Sequence, residues 1–145
     1  MEEKILILDF GSQYTQLIAR RVRELNIYCE IFPYNKAPKN IENFKGLILS
    51  GSPFSVHDVE APSVNLEEFK NIPILGICYG AQRGAKISGC DVLKSEIREY
   101  GRAKLNYVNN SSLILDGVKS NSDVWMSHGD SIKNKKDVLE VIAST

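Results

Sequence analysis

Apolar residues in this chain come first as short unbroken runs and later as fragments set between polar turns, and the change falls near residue 90. Ile5-Leu6-Ile7-Leu8 is wholly apolar, the pattern of a strand buried on both faces of a parallel sheet. Asp9-Phe10-Gly11-Ser12 breaks the run. A helical period follows, with Tyr14, Leu17, Ile18, Val22 and Leu25 on one stripe and Arg20, Arg21, Arg23 and Glu24 mostly facing elsewhere. Asn26 marks the stop. Residues 28–32 read as a second strand closed by Pro33, and residues 46–50 as a third, buried one leading into Gly51-Ser52-Pro53. Leu66–Phe69 fits a short helix, residues 72–77 a fourth strand, and a further helix starts near Gly80.

Strands alternating with helices through the first ninety residues imply a parallel, doubly wound sheet. Ligands of such sheets gather at the carboxyl ends of the strands, where the loops at Gly11, at residues 50–53 and at Cys78 all fall. Residues 100–108, Leu113–Leu115, 124–126 and 139–143 are strand-like pieces joined by polar turns. The expected fold is therefore α/β, a doubly wound, mostly parallel sheet with an antiparallel C-terminal extension.

A length of 145 residues predicts one domain, large enough to bury a core without staples. Eighteen basic and eighteen acidic residues cancel, so no global field points to nucleic acid or an anionic membrane. No apolar run approaches the ~20 residues that span a bilayer. The acidic opening Met1-Glu2-Glu3-Lys4 is unlike a signal peptide. Three cysteines, Cys29, Cys78 and Cys90, are an odd number without metal-ligand spacing, which suits a reducing cytoplasm and no metal site.

Ile74-Leu75-Gly76-Ile77-Cys78-Tyr79-Gly80-Ala81-Gln82 carries the chemistry. A strand runs into Gly-x-Cys-x-Gly and then a helix, the thiol counterpart of the nucleophile elbow. Small flanking residues permit the tight turn that holds the side chain above the sheet. The following helix aims its first amides at the sulfur and favours an anion there. The Tyr79 amide is then placed to stabilise an oxyanion. Cys29 and Cys90 read as small buried hydrophobes. Gly11-Ser12 lacks a G-x-G-x-x-G pattern and reads as a plain capped turn rather than an anion cradle. The three arginines on the first helix read as a solvated face, Trp125 and Met126 as core or interface, and His57 as an exposed loop residue.

The stretch GICYG-x-Q resembles the nucleophile signature of the triad-type (class I) glutamine amidotransferases. Four further segments resemble their GMP synthetase branch: ILDFGSQYTQLIARRVRE from Ile5, LILSGSP from Leu47, REYGRA from Arg98 and WMSHGDS from Trp125. They run in the expected order along essentially the whole chain. The resemblance implies a flavodoxin-like fold in which Cys78 attacks the glutamine side-chain amide to give a glutamyl thioester and ammonia. It implies an oxyanion hole drawn from Tyr79 and from Ser52, which stands where the family loop SGGP has its second glycine. It implies that Gln82 and the backbone of His128, Gly129 and Asp130 contact the bound glutamine. No cofactor is implied for the glutaminase itself, since ATP and magnesium belong to the synthetase domain or subunit that would be its partner.

The family takes its catalytic His and Glu from an H-x-E motif, and neither histidine here, His57 or His128, belongs to one. The expectation is a glutamine amidotransferase domain over residues 1–145, incomplete at its C-terminus, without its synthetase domain and inactive alone. Two other readings remain open at this point: a non-catalytic amidotransferase-like module, and a stand-alone cysteine hydrolase or redox protein of similar fold.

Overall fold

The structure is a computed structural model and describes residues 3–134 and 137–145, without the side chain of Ile97; Met1 and Glu2 of the acidic opening lie outside it. The chain divides into two compact units, Met1–Ile87 and Ser88–Thr145.

In the first unit four strands, β1 (Lys4–Asp9), β2 (Tyr28–Pro33), β3 (Phe44–Leu49) and β4 (Ile74–Gly76), form one sheet. Their order is β2-β1-β3-β4 and every pairing is parallel. Helix α1 (Thr15–Glu24) joins β1 to β2, and α2 (Tyr79–Ile87) follows β4. Ile5 and Ile7 of β1, Cys29 and Ile31 of β2 and Ile48 of β3 pack with Ile18, Ala19 and Val22 of α1. Strand alternation turns Leu6, Leu8 and Leu49 to the opposite face. On that face α2 comes so close that a Cβ on Gly80 would lie 2.6 Å from the Leu49 Cβ. Helices therefore cover both faces, which is the doubly wound arrangement. Because the order reverses at β1, the crevice between the carboxyl ends of β1 and β3 is the place where such sheets hold ligands.

Two details differ from the sequence pattern. The buried side of α1 is Thr15, Ile18, Ala19 and Val22, while Tyr14, Leu17 and Leu25 are exposed. The stripe is rotated because small residues let the helix approach the sheet, and their low hydrophobicity hides them from a count of large apolar side chains. The fourth strand is an edge of three residues rather than a buried strand of six, and Ile74, Leu75 and Ile77 are exposed. Asn26 ends α1 as expected, taking a positive φ of 58°, a backbone region that asparagine tolerates.

The second unit is antiparallel. Strand β5 (Asp91–Lys104) pairs with β7 (Asp123–Lys133), with a shift of register between Lys94 and Glu99. The short β6 (Tyr107–Val108) pairs with β8 (Ala143–Ser144). Leu113–Leu115, expected as a strand piece, is a 3-10 turn. Asn109 accepts from the Ser111 amide, and the Asp116 and Val118 amides close back on Leu113 and Leu115. With Leu113 and Ile114 exposed, the segment has no sheet partner among the described residues to hold it extended.

Candidate functional site

The sharpest feature of the first unit is the turn from β4 into α2. Cys78 has a φ of 51°, a left-handed conformation that costs a non-glycine residue of order 1–3 kcal/mol and persists only where its surroundings impose it. The surroundings are two glycines. A Cβ on Gly76 would fall 2.6 Å from the Ala81 nitrogen, and one on Gly80 would fall 2.5 Å from the Leu49 carbonyl oxygen. Helix and sheet are in backbone contact on both sides of Cys78. The turn is tied down by the Ile77 amide donating to Leu49 O (3.0 Å) and the Gly80 amide to Ser50 O (3.1 Å).

The result is selective exposure. None of the three cysteines forms a disulfide, and Cys78 is exposed whereas Cys29 and Cys90 are buried. Cys78 stands immediately before the first turn of α2, and its carbonyl accepts the Gln82 amide (3.0 Å). Gln82 is buried and lies one turn on, so it shares the Cys78 side of the helix. The Tyr79 side chain faces away into the core. Its hydroxyl donates to Pro62 O, its ring packs 5.6 Å from that of Phe10, and burial raises its pKa, with Arg83 opposing the shift.

The loop after β3 lies alongside. Ser50 is buried and its hydroxyl accepts from the Phe10 amide (2.9 Å) while donating to Gly51 O (2.9 Å). That one side chain joins the ends of β1 and β3. The adjoining Gly51 is in contact range of Cys78: a Cβ placed on it would be 3.6 Å from the Cys78 Cβ. Ser52 turns its hydroxyl back onto the Phe54 amide (3.2 Å). The amides of Ser52 and Tyr79 have no acceptor among the described hydrogen bonds, so both are available to a ligand oxygen.

Of the residues singled out in the sequence, Ser52, Cys78, Tyr79 and Gln82 thus come together at the carboxyl ends of β3 and β4 in the first unit. His128, Gly129 and Asp130 stand consecutively on β7 of the second. There the His128 ring bridges Glu99 through Nε2 (3.0 Å) and the Asp130 carbonyl through Nδ1 (3.0 Å), while Gly129 packs on the Arg98 stem. His57 is an exposed loop residue, as expected. The sequence pattern passed over Ser50, whose only signal is a polar residue directly behind a buried apolar run. It also passed over Ser12, read as a plain turn.

A strained, exposed cysteine on a strand-to-helix elbow, over a parallel sheet of order β2-β1-β3-β4, defines a class, and the family model of the class-I glutamine amidotransferases matches residues 6–145. The chain belongs to that family. Among individual proteins it is 58% identical over 146 aligned residues to the glutamine-hydrolyzing GMP synthase of Cytophaga hutchinsonii and 56% identical to that of Bacteroides fragilis. Each match takes in the whole of this chain but 29% of the relative's length. The crystal structure of a candidate GMP synthase component from Thermoplasma acidophilum superposes with a TM-score of 0.81 at 30% identity, covering all of this chain and 74% of that one.

Proposed function

We propose that this chain is the glutaminase part of a glutamine-hydrolysing GMP synthase and that Cys78 is its nucleophile. The observation that carries the reading is the left-handed φ of Cys78 between two glycines that admit no side chain. Strain of that kind serves to present one group outward from a rigid frame. The Cys78 sulfur attacks the carboxamide carbon of glutamine, and the oxygen takes up negative charge facing the Tyr79 and Ser52 amides. Collapse of that intermediate breaks the carbon–nitrogen bond. Nitrogen leaves as ammonia once it has gained a proton, and a glutamyl thioester remains. Water then attacks the thioester, giving glutamate and the restored thiol, so that one difficult hydrolysis becomes two easier steps.

Gln82, buried one helical turn after Cys78, helps to hold the glutamine. The ammonia serves the amination of XMP to GMP by a synthetase domain or subunit, which brings its own ATP and magnesium. Among the described residues no helix is long and apolar enough to cross a membrane. Three cysteines outside any disulfide suit a cytoplasmic setting.

The glutamine-like electrophile diazo-oxonorleucine is expected to alkylate Cys78 in preference to Cys29 and Cys90, read by peptide mass spectrometry. Equal labelling of all three, or none at Cys78, would reject the proposal.

A further inference from the structure

Ser12 lies in the loop after β1, yet it faces the elbow at the end of β4. A Cβ built on Gly51 would be 3.6 Å from the Ser12 Oγ and also 3.6 Å from the Cys78 Cβ. The two atoms therefore both border the same point beside Gly51 and stand at most twice that distance, 7.2 Å, apart. Since a methyl group there would meet both at ordinary contact distance, the missing side chain of Gly51 leaves a gap about one carbon wide that borders them both. The strand order produces this meeting, because β1 and β3 are neighbours and β3 and β4 are neighbours.

The hydroxyl is oriented as well as near. Its oxygen accepts from the Tyr14 amide (3.0 Å), which sets the side chain against its own turn. A hydroxyl has one proton to donate, and the Ser12 proton has no acceptor among the described hydrogen bonds. The turn beneath is stiff: Asp9 Oδ1 accepts from the Gly11 amide (2.8 Å) and from the Thr15 hydroxyl (2.9 Å). A rigid loop thus presents one unused donor to the gap beside the nucleophile.

We infer that Ser12 is a positioning residue whose hydroxyl donates a hydrogen bond to an acceptor oxygen of the glutamine bound at Cys78, and so sets affinity for it. The inference rests on the glutaminase reading above. Ser12 acts on binding and not on the thiol, so its loss shows in half-saturation and not in intrinsic reactivity.

The test uses the whole chain and three substitutions, Ser12→Ala, Ser12→Thr and Ser12→Asp. In Ser12→Ala the concentration of diazo-oxonorleucine giving half-maximal alkylation of Cys78 should rise about three- to tenfold, the worth of one hydrogen bond. The maximal rate and the rate with iodoacetamide should stay as they were. Ser12→Thr keeps the donor and should restore half-saturation. Ser12→Asp keeps an acceptor for the Tyr14 amide but has no proton to give, so it separates holding the turn from donating. A purely structural Ser12 predicts unchanged half-saturation in Ser12→Asp; the inference predicts a rise larger than in Ser12→Ala. Cys29 and Cys90 should stay protected in every variant, which checks the fold. Unchanged half-saturation in both Ser12→Ala and Ser12→Asp would overturn the inference alone. Failure to label Cys78 in the unsubstituted chain would overturn the glutaminase reading and this inference with it.

Discussion

Glycine is required at position 80 and merely tolerated at position 84, although both lie in α2. At Gly80 an added Cβ would press on the Leu49 carbonyl oxygen, carbon and Cβ, all within 2.9 Å. Backbone cannot swing aside, so the helix must lift from the sheet, and overpacking of this sort costs about 1–3 kcal/mol. Nothing lies within 4 Å of the corresponding position at Gly84, and replacing a helical glycine by alanine there gains about 0.5–1 kcal/mol. Urea denaturation should therefore show Gly80→Ala destabilised and Gly84→Ala slightly stabilised. Equal effects would mean that the close approach of α2 to β3 is not what holds the elbow. Diazo-oxonorleucine labelling of Cys78 should fall in Gly80→Ala as well, since its turn depends on the same contact. The pair Gly76 and Gly80 was legible in the sequence as part of Gly-x-Cys-x-Gly. The approach of Ser12 to that turn was not, because it involves a residue 66 positions later in the chain.

Among the elements, the long antiparallel ribbon of β5 and β7 carries its own electrostatic clasp. Asp123 accepts from Arg102 (2.7 Å) and stands 3.1 Å from the Lys104 nitrogen, so one carboxylate ties two residues of the facing strand. Those hydrogen bonds, Arg102 first, hold the Asp123 pKa below the ordinary aspartate value. A depressed folded-state pKa contributes stability above the unfolded pKa, and that contribution is lost as pH falls through the folded value. The clasp is exposed, so its effect is local and weakens with salt. Carbon-detected NMR should place the Asp123 midpoint below that of an ordinary aspartate, and Arg102→Ala should raise it. A midpoint unmoved by Arg102→Ala would show that the ion pair does not persist in solution. The ribbon itself was partly legible as strand-like pieces within residues 100–108 and 124–126. Its full length was not, because charged and polar residues fill one face and only cross-strand pairing keeps them extended.

For the molecule as a whole, the question is what takes the thiol proton. The sequence has two histidines, and neither is followed two residues later by glutamate. His57 is exposed, and both ring nitrogens of His128 already meet Glu99 and the Asp130 carbonyl. Loss of a general base costs about 10²–10⁴ in rate. The chain alone should thus release ammonia from glutamine that much more slowly than the same chain extended by a segment carrying an H-x-E motif. Equal rates would assign the base to a residue already present, with His128 the first to substitute.

Local patterning determined the strands β1 and β3, the elbow at Cys78 and the burial of Cys29 and Cys90. A hydrophobic run, a pair of flanking glycines and a helix start are each written within a few neighbouring residues. Tertiary structure alone decided that β4 is an edge, that α1 packs through Thr15 and Ala19, that Ser50 ties β1 to β3, and that the chain divides after Ile87. It also decided which loop meets the turn at Cys78. The physical reason is the strand order β2-β1-β3-β4: it joins the ends of β1, β3 and β4 across a sheet, and no periodicity within one segment records which segments will lie side by side.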